Sequence, residues 1–451
     1  MSISRRQLLI TGAASALMPM PALAQRQMDL YHAFRSMIGN DPGAVMAALR
    51  LVGETGDISH APSLITAMRF TRAPAPLFDE ALQTITGADH QGWFDWMLWQ
   101  EAQDDLVPHP TYFDFKRDLY LLIDPNFEVF LQQPYFTPEA SKIRIEEIAW
   151  GGVRKDGIPS LDNPELIDAD AATYLKDDDL VFGVAINGDA RAYPLRIMGW
   201  HEMFNEVIGG VPVALAYCTL CGSGILFETD VEGREAPFVF GSSGFLYRSN
   251  KLMFDRETHT LWNQFTGEPV LGPLAEEPIA LKQRPVVITT WAAWRAQNPE
   301  TKVLSLNTGH RRDYGSGVVY NRYFASPDLM FPTQTDETRL KQKDYVFGIR
   351  TVGAARAWPL GAFEGMPVIN DQVGGLNVVL VGDPDGRTVR AYDRGERSFT
   401  ADLTSDGTTW SQTEDALLGP DGESAPRLPG HIAYWFAWDG YLGLRSSLYP
   451  D

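Results

Sequence analysis

Two cysteines, Cys218 and Cys221, are all that 451 residues contain. So few exclude a disulfide-stapled scaffold and any multi-cysteine zinc module. Positive charge is also short, with 38 basic against 58 acidic residues and a net charge of −20. A surface of that sign repels the phosphate backbone and anionic lipid, so a nucleic-acid partner is not expected. Long apolar runs are missing. The one candidate, Leu8 to Leu17, is too short to cross a bilayer and soon meets Pro19 and Pro21, so no membrane span is expected. Phosphate-binding loops and dinucleotide fingerprints are absent as well. Gly241-Ser242-Ser243-Gly244 is followed by Phe245 and does not form a nucleophile elbow.

What is present begins with an export signal. Arg5-Arg6 precede the apolar run, and Ala22-Leu23-Ala24 offers small residues at a cleavage site. That order predicts a twin-arginine signal over residues 1–24, cleavage after Ala24, the Tat translocase as a transient partner and a periplasmic address. With 44% hydrophobic and 11% aromatic residues, the remainder can bury substantial cores.

Residues 25–140 carry helical spacing. Asp41-Pro42 opens a helix with Val45, Met46, Leu49 and Val52 near one face. A second helix is expected from Ser59, a third from Pro76 to Ile85, and an aromatic one across Trp93, Phe94, Trp96 and Trp99. Beyond them the chain repeats itself. Asp179 to Leu215 aligns without a gap on Asp344 to Leu380, with 15 of 37 pairs identical at an offset of 165. Average residue usage gives about two. In each copy strand-like runs flank turn signals, such as Asn187-Gly188-Asp189 and Gly209-Gly210. The expected fold is therefore α+β: a helical N-terminal domain, then two related, mostly antiparallel β-rich domains at 141–325 and 326–451 from an internal duplication.

Residues shared by both copies, such as Arg191 and Arg356 or Asn205 and Asn370, are expected to serve the fold. Residues of one copy only are expected to serve a site. Cys218 falls on Asp383, Cys221 on Gly386 and His201 on Met366, so the whole donor set belongs to the first copy. Two thiolates and an imidazole suit zinc or copper, with a small molecule or water in the remaining position. Glu202 is then a base or an orienting group. The same cysteines at a turn suit a cycling thiol–disulfide pair, a structural disulfide in an envelope scaffold, or a metallochaperone, and the sequence leaves these open. Gly222 stands where a haem c attachment site needs histidine. His259 and His310 are further candidate ligands. Arg248, Asn250, Asp255, Arg256, Arg312 and Tyr314 are candidate cleft residues, with Thr308-Gly309 beside them.

Trp200-His201-Glu202, Ile208-Gly209-Gly210-Val211-Pro212-Val213 and Tyr217-Cys218-Thr219-Leu220-Cys221-Gly222 resemble the family called domain of unknown function 3179. The resemblance continues through Gly244-Phe245-Leu246-Tyr247, Asp255-Arg256, Trp291 with Trp294, Thr308-Gly309 and Arg312-Asp313-Tyr314, covering about residues 143–323. It implies an uncharacterised exported protein and no particular activity. Two departures stand out: Thr219 replaces the family's proline between the cysteines, and Gly317-Val318-Val319-Tyr320 replaces its Asn-Pro-Tyr.

Overall fold

The computed structural model describes residues 20–450. The twin-arginine segment lies outside them, and Ala24 falls within the first helix, Met20–Met37. Among the described residues no helix is long and apolar enough to cross a membrane. The chain divides into two compact units, one built from residues up to 89 with 107–116, the other from 90–106 with 117–451.

The first unit is helical. Asp41 caps Pro42–Thr55 by accepting from the amides of Gly43 and Ala44, and Gly56 ends it in the left-handed region at φ 61°. Its buried stripe is Val45, Ala48, Leu49 and Val52; Met46, expected on that face, is 45% exposed. Ala61–Met68 and Ala75–Thr86 follow, close to their expected positions.

The second unit opens with the aromatic helix Gly92–Glu101 and is otherwise β-rich. Five sheets of four to six strands, joined mainly by antiparallel pairs, take a propeller-like arrangement. The repeat is visible as strand register. Val181 faces Pro194 in the hairpin of Leu180–Ile186 with Asp189–Pro194, and Val346 faces Pro359 in that of Tyr345–Thr351 with Ala354–Pro359. Met203 faces Ala216, and Val368 faces Val381. The turn Asn187-Gly188 has φ 50° and 82°, the values that a tight two-residue hairpin demands.

Residues common to both halves do the same work in each. Asn205 brackets the backbone of Phe240, accepting from its amide at 2.8 Å and donating to its carbonyl at 2.9 Å. Asn370 does this to Phe399 at 2.8 and 2.7 Å. Arg191 and Tyr193 share the carboxylate of Glu206, while Arg356 and Trp358 share that of Asp371. Gly183 and Gly348 are seats for tryptophans. Trp294 and Trp438 lie on them, with indole N–H groups donating to Thr301 and Ser446 at 2.9 and 2.7 Å.

The halves are not separate domains. One core cluster takes Phe182, Tyr193, Phe204 and Leu215 from the first copy and Phe347, Trp358, Ile369 and Leu380 from the second. A Cβ at Gly183 or Gly348 would overlap the tryptophan ring above it. We therefore expect Gly183→Ala and Gly348→Ala each to lower stability by about 1–3 kcal/mol in urea denaturation. Gly53→Ala, whose Cβ meets nothing within 4 Å, should be neutral or stabilising.

Candidate functional site

The cysteines sit where strand Val211–Cys218 turns into Ser223–Glu228, with Cys218 opposite Ser223. The turn closes through the amide of Cys221 on the carbonyl of Cys218 at 3.2 Å. Gly222 adopts φ 62°, and a Cβ there would press on the rings of Tyr345 and Tyr434. Cys218 and Cys221 form a disulfide, with Cα atoms 5.2 Å apart. Both are buried, at 2% and 0% exposure. Their cover is aromatic. Tyr345 and Tyr434 stack at 4.4 Å between ring centres, and Tyr323 donates to the carbonyl of Leu220 at 2.8 Å. The amide of Tyr434 donates to the carbonyl of Cys221 at 2.8 Å.

On its other side Cys221 Sγ lies 3.3 Å from the carbonyl of Ser249. A disulfide sulfur has no proton to give, so this is a contact; a thiol there would donate. Ser249 follows Arg248 at the tip of a two-residue hairpin, both at positive φ, 62° and 46°. Such a turn normally takes Asn-Gly, so the tip is strained against the disulfide.

Glu202 turns toward the cysteines. It accepts from Thr219, one of the two residues between them in sequence, at 2.7 Å, from Lys251 at 3.0 Å and from Tyr320 at 3.4 Å. Glu202 and Lys251 are 7% and 4% exposed. This is a buried ion pair tied to the disulfide loop by the hydroxyl that replaces proline. Lys251 was not singled out in the sequence, and Tyr320 was noted there only within a departure from the family pattern. A lysine inside an otherwise buried strand was the available signal for the first.

His201 turns the other way. Nδ1 lies 2.9 Å from the carbonyl of Pro159, which can only accept. Nε2 therefore accepts from Tyr314 Oη at 2.6 Å, and Tyr314 accepts from Thr308 Oγ1 at 2.6 Å. Burial, against the Pro159 hydrogen bond and with the charges of His310 and Arg312, holds the imidazole down at about 4. Both nitrogens of His201 are engaged and both sulfurs are bonded to each other. Among the described residues no group of three His, Cys, Asp or Glu is placed to hold a metal ion. The zinc or copper arrangement on His201, Cys218 and Cys221 thus finds no assembled ligand set here.

The remaining candidates scatter. Arg256 pairs with Asp162 at 2.5 Å. Asp255 is buried, accepting from Thr258 and from Trp262 Nε1 at 2.9 Å. Arg248 binds Glu147 at 2.7 Å, beside Glu101, whose carboxyl is pushed up to about 7 by burial against the opposing charge of Arg248. Asn250 donates to Ala437 at 3.4 Å. His259, at φ 59°, packs on Phe254. Arg312, Tyr314 and His310 line one cleft together.

A family model described as "Protein of unknown function (DUF3179)" matches residues 155–443. No curated protein and no solved structure matches significantly.

Two outcomes follow from these contacts. Lys251→Met should cost about 3–5 kcal/mol in urea denaturation by stranding a buried carboxylate, and adding Glu202→Leu should recover most of it. An unfolded histidine titrates near its ordinary 6.5, above the folded value of about 4 for His201. The unfolded chain then binds more protons between those values, so stability is full above pH 6.5 and falls as pH drops toward 4. His60 and His431, also held low by burial, act in the same direction. His201→Gln should flatten, without abolishing, the fall in melting temperature from pH 7 to pH 5.

Proposed function

The chain belongs to the DUF3179 family, and on that premise we propose that it is an exported envelope protein whose Cys218–Cys221 pair is a gated thiol–disulfide centre. In this reading the twin-arginine signal delivers a folded protein to the periplasm, cleavage follows Ala24, and the two halves descend from one duplicated unit.

The observation that carries the reading is the buried Glu202–Lys251 pair held against Thr219 inside the disulfide loop. A bond closing only four residues stabilises by about 2 kcal/mol in the loop-closure model, so it is a weak staple. Buried polar groups beside it are costly unless they have work to do. The exchange runs with an external dithiol. Its thiolate attacks one sulfur, the Cys218–Cys221 bond breaks, and the departing sulfur takes a proton. The reagent's second thiol then displaces the mixed disulfide, leaving two protein thiols and one oxidised reagent. Glu202 is the buried carboxylate available to pass the proton. The departing Cys221 thiol would donate to the carbonyl of Ser249.

Burial sets the gate. To admit a thiol the turn must leave Tyr323 and Tyr434. The test is native incubation with dithiothreitol, followed by alkylation and mass analysis. We expect both thiols to appear while circular dichroism stays native, and Tyr323→Phe to speed their appearance several-fold. A pair that resists reduction until the chain unfolds would make the disulfide structural and end this reading.

A further inference from the structure

The acidic chain gathers positive charge at one place. Arg196, His310, Arg311 and Arg312 line a cleft of about 690 Å³ whose wall is Tyr314, with Asp313 as the one acidic side chain of the lining, accepting from the amide of Gly315 at 2.9 Å. Arg196 is spent internally, on Asp179 at 3.0 Å and on the carbonyls of Tyr314 and Tyr174 at 2.6 and 2.9 Å. Arg311 and Arg312 are not. Both are exposed, and neither forms an ion pair with a carboxylate among the described residues. Arg312 donates to the carbonyl of Arg311 at 3.0 Å and stands 5.9 Å from the ring centre of Trp200.

The loop presenting them is pinned. Trp200 Nε1 donates to the carbonyl of Asp313 at 2.8 Å, Ser316 donates to Asp179 at 3.2 Å, and the Tyr314 hydroxyl is anchored on buried His201. Two unpaired guanidinium groups on a fixed loop are preorganised for an anion, since little further ordering is needed to bind it.

A second cleft of about 470 Å³ meets the first at Arg312. Its lining is of opposite character: Val153, Ile158, Trp200, Val318 and Val319, with Tyr320. One cationic and one apolar compartment sharing a single arginine suit a molecule built the same way. Ligand sites are typically concave and apolar, with a few placed polar groups fixing orientation.

We propose that the paired clefts bind a small amphipathic anion, its carboxylate or phosphate head on Arg311 and Arg312 and its apolar body along Trp200 and Val318. The assignment is independent of the cysteine chemistry, because neither cysteine lines either cleft.

Calorimetric titration of the full, oxidised chain with decanoate, decyl phosphate and inorganic phosphate tests it, with all ligands below micelle concentration. Saturable binding of at least one amphiphile is expected, and the tighter of the two identifies the head group. Arg311→Ala with Arg312→Ala should weaken it tenfold or more. Val318→Asp, at an exposed position, should weaken the amphiphile tenfold or more. No saturable binding of either amphiphile would overturn the proposal. So would unchanged affinity in the arginine variant, or inorganic phosphate binding as tightly as decyl phosphate.

Discussion

The β-rich unit depends on each copy burying the other. Strand Val287–Thr290 pairs with Leu180–Ile186 of its own copy but packs against Thr388–Asp393 of the second. Strand His431–Tyr434 pairs with Tyr345–Thr351 and packs against Ser223–Glu228 of the first. Each thus closes its own sheet and covers the other copy. The tryptophans of the helices that follow these strands explain why the exchange holds: Trp294 and Trp438 lock on Gly183 and Gly348 only if the strands lie where they do. A single close-packed core then follows, because an interior at crystal density cannot be divided between halves that interlock.

Much of this was legible locally and little of it was legible at a distance. The hairpin around Asn187-Gly188 and strand Val211–Cys218 follow from turn chemistry and alternation, which need only neighbours in sequence. Met46 was misread because helical spacing alone does not say which edge of a stripe meets a partner. Strand Phe240–Tyr247 carries two glycines that face aromatic rings and backbone, contacts that no local pattern announces. Tyr345 and Tyr434 cover the cysteines from the other copy, more than a hundred residues away, and no pattern within the first copy announces them. The pairing of Glu202 with Lys251 was hidden because the two lie 49 residues apart within the first copy, beyond the reach of local patterning.

His201 and Glu202 show how one backbone angle redirects a site. The helix Leu195–His201 ends with Glu202 in the left-handed region at φ 55°, and Tyr217 then donates its amide to the Glu202 carbonyl at 2.8 Å. Extended pairing in the register of Met203 with Ala216 would have set His201 opposite Cys218. The bend at Glu202 accompanies a divergence of the two side chains. The carboxylate goes to the disulfide loop and the imidazole to the loop bearing Arg312. Adjacent residues thereby serve two different places.

The two copies also supply a comparison for the disulfide itself. At the equivalent turn the second copy has Asp383-Pro384-Asp385-Gly386, with both aspartates exposed. Asp383 stabilises that turn by accepting from the amide of Asp385 at 3.1 Å, a solution open to a solvated turn. The buried turn of the first copy cannot use an exposed charge, yet its carbonyls are satisfied from outside, by Tyr323 on Leu220 and by Tyr434 on Cys221. Its backbone is thus hydrogen-bonded whether or not the sulfurs are joined. A turn held in this way does not need a covalent bond to complete its hydrogen bonding.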